Sequence, residues 1–144
     1  MNLLSKIQNK YIIAKSEEGS CDSDIEKLLH FSTIEVPHEY IEIIKEKTEI
    51  EIEINKKKYL RIWGAEGCME MNEAYNFQKY IPKSLAIGDD ECCNALLYAH
   101  GNNGFGLYIV SLSDLDINEM KYIADSLESF FVKENGIDIF NNVW

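Results

Sequence analysis

The chain is poor in the residues that interrupt or staple a fold. Two prolines and eight glycines in 144 residues exclude a Pro/Gly-rich linker and a collagen-like repeat. No apolar run approaches the ~18 residues of a transmembrane helix. The opening MNLLSKIQNKYIIAKSEEG turns charged before an adequate apolar h-region forms, so no secretory signal is read there and a cytoplasmic location is expected. Arginine is nearly missing. Arg61 stands alone beside thirteen lysines, which excludes a multi-arginine phosphate clamp. His30, His38 and His100 show no paired ligand spacing such as His-Glu-x-x-His. There is no Gly-x-Ser-x-Gly elbow and no readable Cys–His pairing, so nucleophilic catalysis has no support.

What is plentiful is acid. Asp and Glu number 25 against 14 Lys and Arg, a net charge of −11 at pH 7. Such a chain repels phosphate backbones and anionic lipid surfaces, so neither nucleic acid nor membrane is expected as a partner. A basic protein partner is favoured, because opposite fields speed encounter. The 46% hydrophobic and 27% charged content is an ordinary globular balance, and the length suits one domain spanning 1–144.

Cys21, Cys68, Cys92 and Cys93 are even in number. A chain this long and apolar needs no disulfide staples, and they read as free thiols. The adjacent Cys92 and Cys93 have the wrong spacing for zinc. In an extended segment their side chains would point to opposite faces. Asp89-Asp90-Glu91 lacks the spaced ligands of a calcium loop and reads as a solvated turn. Neither metal nor cofactor is expected.

The hydropathy pattern places elements. Leu3, Leu4, Ile7 and Tyr11 suggest a first helix over 1–12, and Glu17–Asp24 reads as a loop. Ser23 and Glu26 form a capping box for a helix through Leu28 and Leu29. Pro37 opens the next helix, with Tyr40, Ile41 and Ile44 as its stripe. Residues 49–54 alternate Glu and Ile, and 58–63 read as the partner strand. A three-residue loop sets Ile50 opposite Ile62, Ile52 opposite Leu60 and Glu51 opposite Arg61, whereas a two-residue loop would misplace the isoleucines. Residues 70–80 suggest a short helix or an irregular segment, and 84–88 a strand. Strands 94–100 and 105–111, apolar on both faces, are joined by Gly101-Asn102-Asn103-Gly104. A last helix is predicted from a capping box at Asp116, with Met120, Ile123, Ala124, Leu127 and Phe131 buried, ending at Asn135-Gly136. Ile137, Ile139, Phe140 and Trp144 form an apolar tail.

Taken in order, these pieces resemble the SUKH superfamily of Smi/Knr type. The matching segments are VPHEYIEII, LRIWGAEGCMEMNEAY, KYIPKSLAIGDDE, NALLYAHGNNGFGLYIV and DLDINEMKYIADSLESFF, over residues 23–133. Two departures stand out. Lys45–Thr48 replaces the Asn-Gly-Gly that often follows the Pro helix, and Glu91-Cys92-Cys93 replaces glycines after Gly-Asp-Asp. That second turn is expected to be shaped differently.

The resemblance implies an α+β domain with a mainly antiparallel sheet, of about five to six strands, flanked by helices. It also implies a non-enzymatic, protein-binding role. Many bacterial members look like immunity proteins that neutralise a toxin, and fungal members regulate wall synthesis. The acidic balance fits a basic, nuclease-type toxin as partner. Trp63, Glu66, Glu70, Asp89, Asp90 and Glu91, on or beside the matched loops, are the candidate partner-binding residues. The alternative is a regulatory adaptor of wall or glucan synthesis. Oligomeric state is not readable.

Overall fold

A computed structural model describes residues 1–143. Seven strands form one sheet in the order β1-β2-β3-β4-β5-β6-β7, every neighbouring pair antiparallel. They are β1 (Ile12–Glu18), β2 (Lys47–Asn55), β3 (Lys58–Ile62), β4 (Ser84–Asp89), β5 (Asn94–Gly101), β6 (Gly104–Ser111) and β7 (Lys121–Ala124). The helices are α1 (Leu3–Lys10), α2 (Asp22–Phe31), α3 (His38–Glu46), α4 (Ala65–Ala74), α5 (Phe77–Tyr80), α6 (Leu127–Phe131) and α7 (Ile137–Asn141). The expected α+β class holds, with a slightly wider sheet. Residues 94–99 are all buried, so both sheet faces are covered there, as the doubly apolar pattern predicts.

The β2–β3 register is the one expected: Ile50 faces Ile62, Glu51 faces Arg61 and Ile52 faces Leu60. The loop is not. Lys56-Lys57 is a two-residue turn closed by Asn55 and Lys58. An extra residue between Glu53 and Asn55 bulges out and restores the parity.

Two strands were hidden in the sequence. β1 lies at the sheet edge with Ile12 65% exposed, and its pairing with β2 shifts register twice. Without a buried face it leaves no alternation to read. β7 occupies ground expected to be helical. Asp116 does not cap a helix; its carboxylate accepts from Asn118 N–H in a turn. Ile123 and Ala124 are buried from a strand, and Leu127 and Phe131 from α6. Ser126 caps α6 by accepting from Ser129 N–H at 3.0 Å. Gly136 does not end that helix. It sits at φ +80, ahead of α7, and a Cβ there would lie 2.1 Å from the Ile123 carbonyl oxygen, so glycine is required on both counts.

Smaller corrections follow. Cys21, not Ser23, is the N-cap of α2 and makes no side-chain cap bond. The stripe of α3 buries Ile43 beside Tyr40 and Ile44, with Ile41 half-buried. The helix expected over 70–80 begins at Ala65 and breaks at Asn76, which takes φ 55. In the apolar tail Phe140 is buried and Ile139 exposed; Trp144 lies outside the described residues.

Three polar side chains fix the helices on the sheet. β3 pairs with β4 only at Asp89 and Gly88, which leaves the inner part of β4 without a strand on the side opposite β5. Asn72 of α4 supplies the missing partner. Its amide donates to the Ala86 carbonyl at 2.8 Å and accepts from Ala86 N–H at 3.0 Å. The Tyr40 hydroxyl donates to the Trp63 carbonyl at 2.6 Å and ties α3 to the end of β3. Glu39 accepts from the Tyr98 hydroxyl and from Leu127 N–H, both at 2.7 Å, so one carboxylate joins α3, β5 and the start of α6.

Asn72→Ala would orphan two buried backbone groups, each costing about 1–3 kcal/mol. We expect a large fall in the urea midpoint with an unchanged slope. Gln78→Ala removes contacts made from a part-exposed side chain and should cost less. Equal midpoints for the two variants would refute the strand-surrogate role.

Candidate functional site

A cleft of about 670 Å³ opens where α2 and α4 meet the ends of β1 to β4. Its floor begins at β3. The Trp63 amide donates to the Ile87 carbonyl at 2.8 Å, and the chain then turns into α4. Gly64 and Ala65 present their amides to the cleft. Glu49 Oε2 accepts from Gly64 N–H at 2.9 Å, and Ser20 Oγ accepts from Ala65 N–H at 3.0 Å. These two side chains satisfy donors that an α-helix start leaves open. A Cβ at Gly64 would fall 2.5 Å from Thr48 Cγ2, so glycine lets the helix start this close to β2.

Glu49 reaches Gly64 because β2 is irregular there. Between Lys15–Glu51 and Glu17–Thr48 the register shifts, and Glu49 takes φ 46, an uncommon backbone state for a side-chain-bearing residue. The shift re-aims the carboxylate into the cleft, away from the solvent face implied by the Glu/Ile alternation.

Carboxylates dominate the walls. Glu17 and Glu18 come from β1, Asp24 from α2, Glu49 from β2, Glu66 and Glu70 from α4 and Asp89 from β4, against a single cation, Arg61. That cation is already shared. Arg61 Nη2 lies 3.3 Å from Glu51 and 3.7 Å from Glu91.

The acids divide by environment. Burial raises the Glu49 carboxyl above its ordinary range, with Glu17 and Asp89 adding to the rise; the Gly64 amide and Arg61 oppose it without prevailing. Glu91 is raised by burial and by its hydrogen bond with Glu51. Glu51 is held low, first by that bond and then by Arg61. The two neighbouring carboxyls are therefore pushed in opposite directions, Glu91 upward and Glu51 downward, beside the guanidinium.

Four of the six predicted residues, Trp63, Glu66, Glu70 and Asp89, line this cleft together. Trp63 is only 2% exposed and does not project as an anchor. Its indole N–H donates to Asp89 Oδ2 at 2.7 Å and fixes that carboxylate. Asp90 is 6% exposed and faces inward, where Oδ1 accepts from the amides of Cys92, Cys93 and Asn94 at 3.0–3.1 Å. Glu91, on the same turn, takes φ 59, a left-handed conformation more usual for glycine.

Sequence reasoning missed Glu17, Glu18, Asp24 and Glu49. The first three fell in a segment read as loop, and Glu49 was hidden by its strand alternation. Among the described residues, no group of three or more His, Cys, Asp or Glu side chains converges as metal ligands. Cys68 is buried against the Ala86 carbonyl, and burial pushes its thiol up to about 12, which removes it as a nucleophile near neutral pH. No helix among the described residues is long and apolar enough to cross a membrane.

Residues 21–133 match the family model described as SMI1 / KNR4 family (SUKH-1). No curated protein matches the chain.

The raised Glu49 carboxyl has a signed consequence. A group that binds its proton more readily folded than unfolded adds stability in acid and loses it as pH climbs through the folded value. Glu49→Gln keeps an acceptor for Gly64 and removes the charge. Its unfolding free energy should exceed that of the parent near pH 7, with the gap closing toward pH 4. A gap independent of pH across that range, read from urea melts, would contradict the assignment.

Proposed function

The chain belongs to the SMI1/KNR4 family (SUKH-1), and on that premise we propose that it is a non-enzymatic immunity protein that binds and neutralises a basic, nuclease-type toxin. The observation that carries this reading is the cleft, where seven carboxylates meet one already paired guanidinium. A surface of one sign, set in a concave wall, concentrates the field and favours a Lys- or Arg-rich protrusion. Glu66 and Glu70 lie on one face of α4, one helical turn apart. A basic loop entering the cleft meets both together with Asp89.

The fixed parts of the wall lower the cost of binding. Asp89 is held by Trp63 and by Glu91 N–H, which donates to its Oδ1 at 2.7 Å. Its rotamer is set before the partner arrives, so less side-chain freedom is lost on docking. Asp90 contributes by shaping the turn rather than by contact.

Production of a toxin domain encoded beside this gene should be tolerated only when this chain is made in the same cell. The Glu66→Lys, Glu70→Lys double variant should lower the association rate for that domain by about tenfold or more at low salt, with the difference shrinking as salt rises. An unchanged rate would remove the cleft from the interface. Deletion that sensitises cells to wall stress, with no toxin protected against, would transfer the reading to an adaptor of wall synthesis.

A further inference from the structure

The turn between β4 and β5 carries two adjacent thiols. Cys92 is exposed and Cys93 half-buried. They do not splay to opposite faces as an extended strand would require. The segment between β4 and β5 is a turn, and the two Sγ atoms lie 3.1 Å apart in an S–H···S contact. The fold imposes that approach. Asp90 Oδ1 gathers the amides of Cys92, Cys93 and Asn94, and Oδ2 accepts from the Asn94 side chain at 2.9 Å. Lys58 Nζ sits 3.7 Å from the same carboxylate. The Cys93 carbonyl is pinned by Leu112 N–H at 2.8 Å.

We propose that Cys92 and Cys93 are an oxidative modification site, converted by a hydroperoxide to a disulfide between neighbouring residues. The Cys92 thiolate, the more accessible, attacks the terminal oxygen of the hydroperoxide. The O–O bond breaks, the alkoxide takes up the proton that the Cys92 thiol released on ionising and leaves as an alcohol, and Cys92 becomes a sulfenic acid. Cys93 then attacks the Cys92 sulfur. The S–S bond forms, the S–O bond breaks, and hydroxide leaves with the Cys93 proton as water. Two electrons pass from the sulfurs to the peroxide. Cys93 suits the second role. Its sulfur already lies 3.1 Å from that of Cys92, within reach for the second displacement.

The product cannot keep the present turn. Neighbouring Cα atoms lie about 3.8 Å apart across a trans peptide, short of the roughly 4.4–6.8 Å usual for disulfides. Closing the ring therefore twists the Cys92–Cys93 peptide, whose amide donates to Asp90 and whose next carbonyl accepts from Leu112. The disturbance falls on the turn that contains Glu91 and adjoins Asp89. A strained ring of this kind is readily opened by a dithiol, so the modification is reversible. The chemistry stands apart from any reading of the partner.

The test uses the intact chain treated with a small excess of hydrogen peroxide, blocked with iodoacetamide under denaturing conditions and digested. The peptide holding Cys92 and Cys93 should be lighter by a pair of hydrogen atoms and unalkylated, with both alkylations restored after dithiothreitol. Cys21 and Cys68 should remain alkylated. The species should form several-fold faster in the folded chain than in urea, and be absent from Cys93→Ser, where Cys92 gains oxygen instead. Oxygen addition at both sulfurs of the parent chain, a Cys92–Cys21 crosslink between molecules on a non-reducing gel, or faster ring closure in urea would each overturn the proposal.

Discussion

A single side-chain amide stands where a strand is missing. β3 runs out after two pairings with β4, and Asn72 takes over by offering Ala86 the donor and acceptor that a neighbouring strand would. Buried backbone groups in this position are costly unless paired, so the strand β4 and the helix α4 cannot be placed independently. The same residue fixes α4 further: its amide also donates to the Cys68 carbonyl at 2.7 Å, and its oxygen accepts from Gln78. Glu66 and Glu70 therefore inherit their position from a contact on the hidden side of their own helix. Gly64 at the start of α4 and Tyr40 behind Trp63 complete the frame from the other side.

The carboxylates in and around the cleft differ in what each must do. Asp89 is tethered by an indole and an amide, Glu49 spends its oxygen on a helix start, and Glu51 with Glu91 encloses the guanidinium. Glu17, Glu18, Glu66 and Glu70 are left to set the field. Asp90 looks identical to Asp89 in sequence, yet its carboxylate accepts four hydrogen bonds in the interior. Adjacent residues on extended chain face opposite ways, and here that separates a wall residue from a structural one.

What the sequence disclosed follows the same physics. The β2–β3 and β5–β6 pairings were legible because one or both faces are buried, and burial writes a period into the sequence. Even so, the first register was reached through a wrong loop, since a bulge at Ile54 did the work assigned to loop length. β1 and β7 were not legible. The former has too little buried surface to alternate, and the latter is four residues whose neighbours fit a helical spacing equally well. Site residues from α4 and β4 were found because they flank motifs; Glu17, Asp24 and Glu49 join them only through tertiary packing. Nothing local marks Asn72, because its partner lies fourteen residues away on another element.

The strand order repeats the chain order, and that has kinetic weight. Every ladder joins consecutive strands, which keeps most loop closures short and contact order low. Two excursions break the rule: residues 19–46, which carry α2 and α3, and residues 63–83, which carry α4 and α5. The cleft is the seam between them. It is walled by the two longest connections between consecutive strands, which meet directly where Ser20 Oγ accepts from Ala65 N–H. A ligand seated there would bind only chains in which both excursions have docked, drawing the whole population toward that state by mass action.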